Sequence, residues 1–159
     1  MNFIEIIADN RELKSGVPTH LSALPGIHLE WKELAVGDYI VVGETIFERK
    51  SASDFAASLI DQRLFSQAKR LADQPLRAAF IIEGEGDQWS ALGVRREALQ
   101  GALVTLTLIF DLPVFRSRNT LETAQLLVYT GRQFARLRED LPRIEFTKQR
   151  ENGPISSIF

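Results

Sequence analysis

Short apolar runs and alternating segments divide the chain into six predicted strands and five predicted helices. The strands are predicted at residues 3–8, 28–34, 39–42, 45–50, 78–83 and 114–116. The helices are predicted at 17–24, at 51–60, from 64 to just before Pro75, at 95–110 and at 120–138. The first strands follow one another as a meander, and the later ones alternate with helices. This order predicts an α/β domain with a central mixed β-sheet flanked by helices.

The pattern predicts one domain over residues 1–140 and a C-terminal extension over 141–159. The chain has 159 residues, which is an ordinary size for one domain. The extension contains Gly153-Pro154 and little periodicity, so we expect it to be flexible.

Composition excludes several functional classes. Hydrophobic residues make up 45% and charged residues 25% of the chain, which is typical of a soluble globular domain. There is no Cys and there are only two His, so disulfide scaffolds, Cys-ligated zinc and cysteine nucleophiles are excluded. The start lacks a secretory pattern, and the longest apolar run, 98–110, is too short to span a membrane. We therefore expect a cytoplasmic protein without a membrane partner.

Charge is unevenly distributed along the chain. Residues 1–62 contain ten acidic and five basic residues, whereas residues 63–159 contain eleven acidic and fourteen basic ones. An acidic first part can hold a divalent cation, and a basic second part can face phosphates. Chance clustering on solvated surfaces is the alternative.

The predicted helices at 95–110 and 120–138 are apolar on more than one side. A single sheet covers only one side of a helix, so the remaining apolar positions predict a self-association surface. Among the outward positions we expect Ala102 and Val128. The sequence therefore predicts a homodimer through these two helices.

The charged residues that point to chemistry lie on the third and fourth predicted strands. Asp38 opens the third strand, and Glu48 and Lys50 lie two residues apart on the fourth. Alternate side chains of a strand share a face, so Glu48 and Lys50 point the same way and Arg49 points the opposite way. A short hairpin brings Asp38 alongside, so two carboxylates and one ammonium group converge at one end of the sheet.

This convergence predicts metal-assisted hydrolysis of phosphodiesters. Carboxylate oxygens bind Mg²⁺ or Mn²⁺, so Asp38 and Glu48 are the candidate metal ligands. A bound metal polarises a phosphate and lowers the pKa of its water. Lys50 can orient that water or stabilise the charge that develops on the phosphate. An ordinary surface hairpin with a cross-strand Glu–Lys pair is the alternative.

A longer motif surrounds these residues. Gly37-Asp38-Tyr39-Ile40-Val41, followed by Glu48-Arg49-Lys50-Ser51-Ala52-Ser53-Asp54, resembles the GDX(n)ERKX3D signature of the XPF-type structure-specific DNA endonucleases of the PD-(D/E)xK superfamily. Further matches to this family lie at residues 8–12, at 58–64 with Gln67, and at 80–84. The resemblance covers residues 3–138.

The resemblance implies a restriction-endonuclease-like fold, Asp38 and Glu48 as metal ligands, and Lys50 as the catalytic lysine. It also implies roles for the other charged motif positions, which are Asp9, Glu12, Arg49 and Asp54. Asp9 as a cap of the turn after the first strand, and Asp54 as the acid of a helix start, are the local alternatives. Arg63 and Arg11 are candidates for contacts to DNA phosphates. A solvated surface arginine is the alternative for Arg63.

The implied function is a metal-dependent endonuclease that cuts near branches, flaps or forks of DNA in repair or recombination, with Mg²⁺ or Mn²⁺ as cofactor. Family members usually carry a tandem helix-hairpin-helix domain after the nuclease domain, and 159 residues leave no room for it. Either the protein is a stand-alone nuclease or the sequence is part of a longer chain. A junction resolvase or other PD-(D/E)xK repair nuclease is one alternative. A non-catalytic DNA-binding subunit is an alternative from another class.

The last residues, 155–159, close the chain with two large apolar side chains after Gly153-Pro154. Their Ser-Ile-Phe ending faintly resembles peptides that bind replication sliding clamps, although the glutamine that opens such motifs is missing. A disordered end, a strand folded back on the domain, or the cut edge of a longer chain are the alternatives.

Overall fold

The computed structural model describes residues 3–85 and 89–140, which form one six-stranded sheet between two helical layers. The strands are β1 (Ile4–Asp9), β2 (Ile27–Lys32), β3 (Tyr39–Val41), β4 (Thr45–Ser51), β5 (Arg77–Glu83) and β6 (Val114–Ser117). The helices are α1 (Val17–Ala23), α2 (Ala52–Ile60), α3 (Leu64–Ala72), α4 (Arg96–Val104) and α5 (Thr120–Asp140). A 3₁₀ turn at Asn10–Lys14 follows β1, and a π-helical turn at Thr105–Ile109 extends α4. The predicted extension at 141–159 lies outside the described residues.

The strand order is β2-β1-β3-β4-β5-β6, and it confirms the predicted mixed sheet. β3 is antiparallel to both of its neighbours, and all the other neighbouring pairs are parallel. The predicted meander is wrong at β2. The chain passes through α1 between β1 and β2, so β2 pairs in parallel with β1 and β3 takes the other side of β1.

The two faces of the sheet carry separate apolar cores. Ile46 and Phe80 lie in the core beneath α2, α3 and α4. Phe47 and Ile81 lie in the core beneath α1 and α5. Neighbouring residues of β4 and of β5 therefore point to opposite helical layers, and the central strands are buried on both faces.

The apolar run at 98–110 does not form one regular helix. The N–H of Phe110 donates to the carbonyl of Thr105, five residues earlier, at 3.0 Å. The hydroxyls of Thr105 and Thr107 donate to carbonyls one turn back, an arrangement that slightly destabilises and often bends a helix. Within residues 3–85 and 89–140, none of the helices combines the length and the apolar content needed to cross a bilayer.

A glycine brings α5 close to the sheet. A Cβ atom at Gly131 would lie 2.4 Å from Cγ2 of Ile4 in β1 and 3.4 Å from Cγ1 of Val41 in β3. Such a distance to a buried β-branched side chain forces the helix away from the sheet. Glycine at this position therefore stabilises the packing, although it lowers the intrinsic helix propensity of α5.

We predict that Gly131→Ala lowers the free energy of unfolding by about 1–3 kcal/mol, the usual cost of overpacking a core. Urea denaturation followed by circular dichroism measures this change. Gly101→Ala in α4 is the matched control, since a Cβ there meets nothing within 4 Å. It should leave stability unchanged or raise it by about 0.5–1 kcal/mol. Equal effects of the two substitutions would contradict the close approach.

Candidate active site

The charged side chains gather at one edge of the sheet. β1, β4, β5 and β6 run parallel to one another, so their carboxyl ends meet at the same edge. Asp9 and Glu83 end β1 and β5, Lys50 and Ser51 end β4, and Asp38 immediately precedes β3. Ligand sites of open α/β sheets commonly lie at this edge.

A turn at Gly37 places Asp38 at this edge. Gly37 has φ +84°, and a Cβ there would lie 2.3 Å from Cγ2 of Ile46. Only glycine fits this left-handed turn without moving the core. The N–H of Asp38 then donates to the carbonyl of Phe47 at 2.8 Å, which starts the antiparallel pairing of the β3–β4 hairpin.

This hairpin brings Asp38 close to Glu48. Tyr39 pairs with Phe47, Asp38 immediately precedes Tyr39, and Glu48 follows Phe47 on β4. The two carboxylates are near enough for the charge of Glu48 to raise the pKa of Asp38. Lys50 shares the face of Glu48, two residues further along β4. The structure thus brings together Asp38, Glu48 and Lys50, as the alternation along the sequence predicts.

Arg49 points to the opposite face of the sheet. Its guanidinium donates to Glu83 through Nε and Nη2, at 2.9 and 2.7 Å, and lies 3.5 Å from Oε2 of Glu12. The backbone N–H of Arg49 instead donates to Oδ2 of Asp38 at 2.8 Å. Arg49 therefore contacts Asp38 through its backbone N–H, and it contacts Glu83 and Glu12 through its side chain.

Burial disfavours the charged form of both carboxylates. Burial, together with the nearby charge of Glu48, raises the pKa of Asp38 to about 7, against the hydrogen bond from the Arg49 N–H. Burial also raises the pKa of Glu48, while the positive charges of Lys50 and Arg11 act in the other direction. A cation between the two carboxylates would relieve both effects, so the residues fit a divalent metal ion.

A magnesium-type site needs few carboxylates from the protein. Within the described ranges 3–85 and 89–140, no group of three or more His, Cys, Asp or Glu side chains is placed to hold a metal ion. Mg²⁺ is commonly held by one or two carboxylates together with water and substrate phosphates, and it does not need a closed protein cage. Asp38 and Glu48 are therefore the side chains that would hold it.

Glu83, Tyr39 and Thr123 are polar partners of the site that the sequence analysis does not identify. Burial opposes the charge of Glu83, but the hydrogen bonds from Arg49 and Thr123 outweigh it and lower the pKa of Glu83. The Thr123 hydroxyl lies 2.6 Å from Glu83 Oε2, and the Tyr39 hydroxyl donates to Glu12 Oε2 at 2.6 Å. An acidic residue at the carboxyl end of a buried parallel strand was the available signal for Glu83.

Asp9 is held by local hydrogen bonds. Its carboxylate accepts from the N–H and Nε of Arg11, at 2.9 and 2.6 Å, and from the N–H of Leu34 at 2.7 Å. Burial opposes the charge of Asp9, but these bonds outweigh it and lower the pKa of the carboxyl. Asp9 therefore caps the turn after β1, as in the local alternative, and it orients Arg11.

The three remaining candidates are exposed. Arg11 is largely exposed, and its Nη2 donates to the carbonyl of Gly37 at 3.3 Å. Asp54 is exposed in the first turn of α2, which Ser51 caps through the N–H of Asp54. Arg63 precedes α3 and forms an exposed ion pair with Asp61 at 3.2 Å. Their roles stay predictions.

This arrangement defines a class of protein: an α/β domain with a mixed sheet that holds two neighbouring carboxylates and a lysine at the carboxyl edge of its parallel strands. The model of the ERCC4 domain matches residues 8–130. The chain belongs to the ERCC4 domain family.

Relatives with assigned names support this assignment. The chain is 34% identical over 131 residues to the 3'-flap repair endonuclease Xpf of Saccharolobus solfataricus, covering 82% of this chain and 56% of that protein. It is 37% identical over 95 residues to the DNA repair endonuclease XPF of Cricetulus griseus, covering 60% of this chain and 10% of that protein. The chain thus spans little more than half the length of the archaeal relative.

A solved structure confirms the fold. XPF from Aeropyrum pernix, in complex with DNA, superposes with a TM-score of 0.75 at 33% sequence identity. The match covers 89% of this chain and 67% of that one. The predicted restriction-endonuclease-like, mixed-sheet architecture is therefore that of an XPF nuclease domain.

We predict that Asp38→Asn stabilises the metal-free protein by about 1–3 kcal/mol at pH 8. The folded state holds a proton on Asp38 that the unfolded chain releases, so stability falls as pH rises from about 4 to about 7 and stays low above it. The uncharged amide escapes this loss, and the gain should be smaller at pH 5.

Urea denaturation in the presence of a chelator, at pH 5 and pH 8, measures the difference. Asp73→Asn is the control, since Asp73 is an exposed acid paired with Lys69 and its change should stay within about 0.5 kcal/mol. A gain at Asp38 that is the same at both pH values would contradict the burial of its charge.

Proposed function

We propose that this chain is the nuclease part of a divalent-metal-dependent, structure-specific DNA endonuclease that hydrolyses phosphodiester bonds near branches, flaps or forks. The observation that carries the proposal is the proximity of the Asp38 and Glu48 carboxylates, with Lys50 on the face of Glu48, at the carboxyl edge of the parallel strands. The similarity to a 3'-flap repair endonuclease and to an XPF structure with DNA supports a DNA substrate. A role in DNA repair or recombination inside the cell belongs to the same proposal.

The residues divide the chemistry among themselves. Asp38 and Glu48 would hold Mg²⁺ or Mn²⁺, and the bound cation supplies a polarised phosphate and a water of lowered pKa. Lys50 orients that water or offsets the charge that develops on the phosphate. Arg11, oriented by Asp9 and largely exposed, can contact a neighbouring phosphate.

Two other functions share part of this evidence. A junction resolvase or another PD-(D/E)xK repair nuclease would use the same carboxylates and lysine on a different DNA branch. A non-catalytic DNA-binding subunit would not need them, and silent subunits of this type carry a damaged motif. The intact set of Asp38, Glu48, Arg49 and Lys50 therefore favours activity.

We predict that Asp38→Ala and Glu48→Ala each abolish cleavage, because each removes one of the two candidate metal ligands. Lys50→Ala should lower the rate by about 10²-fold or more, the scale for losing one group that stabilises the transition state. Labelled flap, fork, four-way-junction and linear DNAs with Mg²⁺ or Mn²⁺ provide the assay, and the preferred branch separates a flap endonuclease from a resolvase.

Two exposed residues give matched controls. Glu5→Ala in β1 removes an exposed carboxylate, and Lys69→Ala in α3 removes an exposed ammonium group. Both variants should cleave at rates close to those of the unchanged protein. Full activity of Glu48→Ala would refute the assignment of the site.

We further propose that the chain forms a homodimer through the outer side of the 95–110 and 120–138 segments. Large apolar side chains are exposed there on α4, on its π-helical turn and on α5. These are Val104, Leu108, Ile109, Leu121 and Tyr129, with exposed fractions from 39% to 78%. Large exposed apolar patches commonly mark interaction surfaces.

The structure corrects the positions expected to face outward. Ala102 and Val128 are 2% and 1% exposed, and they pack in the two cores of the domain. A charge at either position would therefore disrupt the fold and would not test the dimer. Leu108, which is 78% exposed, is the appropriate position.

We predict that the protein sediments as a dimer and that Leu108→Glu shifts it to monomer while its circular dichroism spectrum is unchanged. Sedimentation velocity at roughly micromolar concentrations makes the measurement. Leu13→Glu is the control, since Leu13 is 64% exposed and lies outside both helices. A monomeric unchanged protein, or a dimeric Leu108→Glu variant, would exclude this surface.

Binding of a sliding clamp through residues 153–159 stays a prediction from the sequence, because these residues lie outside the described ranges. Deletion of 153–159 should abolish clamp binding and leave cleavage of short flaps intact. Clamp binding that persists after the deletion would refute it.

A further inference from the structure

A buried polar network lies on the face of the sheet opposite to Lys50. Arg49 is its centre, because the guanidinium makes two hydrogen bonds to Glu83 and lies 3.5 Å from Glu12. The side chains of Arg49, Glu83 and Glu12 are 17%, 11% and 9% exposed. A guanidinium with two parallel bonds to one carboxylate is held in a fixed orientation.

Other elements fix the acidic partners in turn. Thr123, in the first turn of α5, donates to Glu83 Oε2 at 2.6 Å, and Ser117 at the end of β6 lies 2.6 Å from the Thr123 hydroxyl. Tyr39 donates to Glu12, and burial together with this hydrogen bond raises the pKa of the tyrosine, so its hydroxyl keeps the proton. The network therefore ties β3, β4, β5, β6, α5 and the 3₁₀ turn together.

The network reaches the carboxylate pair through the main chain of Arg49. β3 begins at Tyr39, so no residue of the strand itself lies opposite the N–H of Arg49. The carboxylate of Asp38 accepts this N–H at 2.8 Å and takes the place of the missing strand partner. The direction of the Asp38 carboxylate thus depends on where the backbone of Arg49 is held.

We propose that Glu83 is a positioning residue of the active site. By fixing the side chain of Arg49 on the far face, it holds the Arg49 N–H that orients Asp38 toward Glu48. Thr123 supports Glu83 in the same role. This inference rests on the proposed function, since it assigns Glu83 to the geometry of the proposed metal site.

The first test uses the metal-free protein and needs no activity. Amide hydrogen exchange by NMR should show the Arg49 amide exchanging about 10-fold or more faster in Glu83→Gln, with Phe47 in the same strand as internal reference. A general loss of stability would accelerate both amides equally. Glu5→Gln, which changes an exposed glutamate of the same sheet, should leave both unchanged.

The second test separates metal binding from turnover. Glu83→Gln should weaken Mn²⁺ binding, measured by calorimetry, by about 10- to 100-fold, the usual cost of losing a partner that orients a metal ligand. Cleavage at saturating Mn²⁺ should recover to within a few-fold of the unchanged protein. Thr123→Val, which removes one donor to Glu83 without changing charge, should shift both quantities in the same direction by less.

The outcomes are distinguishable from those of the proposed function. Faster exchange of Arg49 and weaker Mn²⁺ binding in a protein that cleaves no DNA would support the positioning role and refute the nuclease. The positioning role would be overturned if Glu83→Gln and Thr123→Val both left the exchange rate of the Arg49 amide and the Mn²⁺ affinity unchanged. This holds even if the protein without substitutions is an active nuclease.

Discussion

The antiparallel pairing of β3 with β4 is the constraint on which the site depends. It begins at a left-handed glycine, Gly37, whose position tolerates no side chain, and it brings Asp38 close to Glu48. Burial of these two neighbouring carboxylates raises the pKa of both, so the arrangement lowers the stability of the fold in the absence of a cation. Such a loss of stability is typical of a binding site, because a ligand that binds only the folded state raises the free energy of unfolding again.

Three consecutive residues of β4 point alternately to two different helical layers. Glu48 and Lys50 face the layer of α2, α3 and α4, and Arg49 faces the layer of α1 and α5. The sheet therefore separates the proposed chemistry from the network that supports it. An arginine is suited to the supporting side, because it keeps its charge when buried and bonds a carboxylate through two parallel donors.

Local periodicity predicted the parts of the structure that neighbouring residues decide. Alternation along β4 correctly separated Glu48 and Lys50 from Arg49, and the tight turn at Gly43 correctly predicted the hairpin. Local periodicity could not predict the position of β2 in the sheet. Whether β3 pairs with β1 or with β2 depends on where α1 crosses the sheet. Glu83 and Thr123 were missed for a similar reason, since they are 40 residues apart and only the fold brings them together.

Periodicity also failed to show which of the two apolar sides of α4 faces the core and which faces solvent. Leucines on one side and small residues on the other satisfy the same helical spacing, and the choice depends on how closely the helix approaches the sheet. Ala102 faces the core with Leu106, because a small side chain permits close contact, and Leu108 is left on the outside. The apolar excess was therefore predicted correctly, while the side that carries it was not.

Helix α5 links the two proposals made for this chain. Its first turn supplies Thr123 to Glu83, and the same helix exposes Leu121 and Tyr129 on the proposed dimer surface. A substitution at Leu121 lies two residues from Thr123, so it can alter assembly and the support of Arg49 together. Leu108 lies on the π-helical turn after α4, away from this network, and a charge there changes the surface alone. The effect of assembly on cleavage is therefore better measured from that side of the interface.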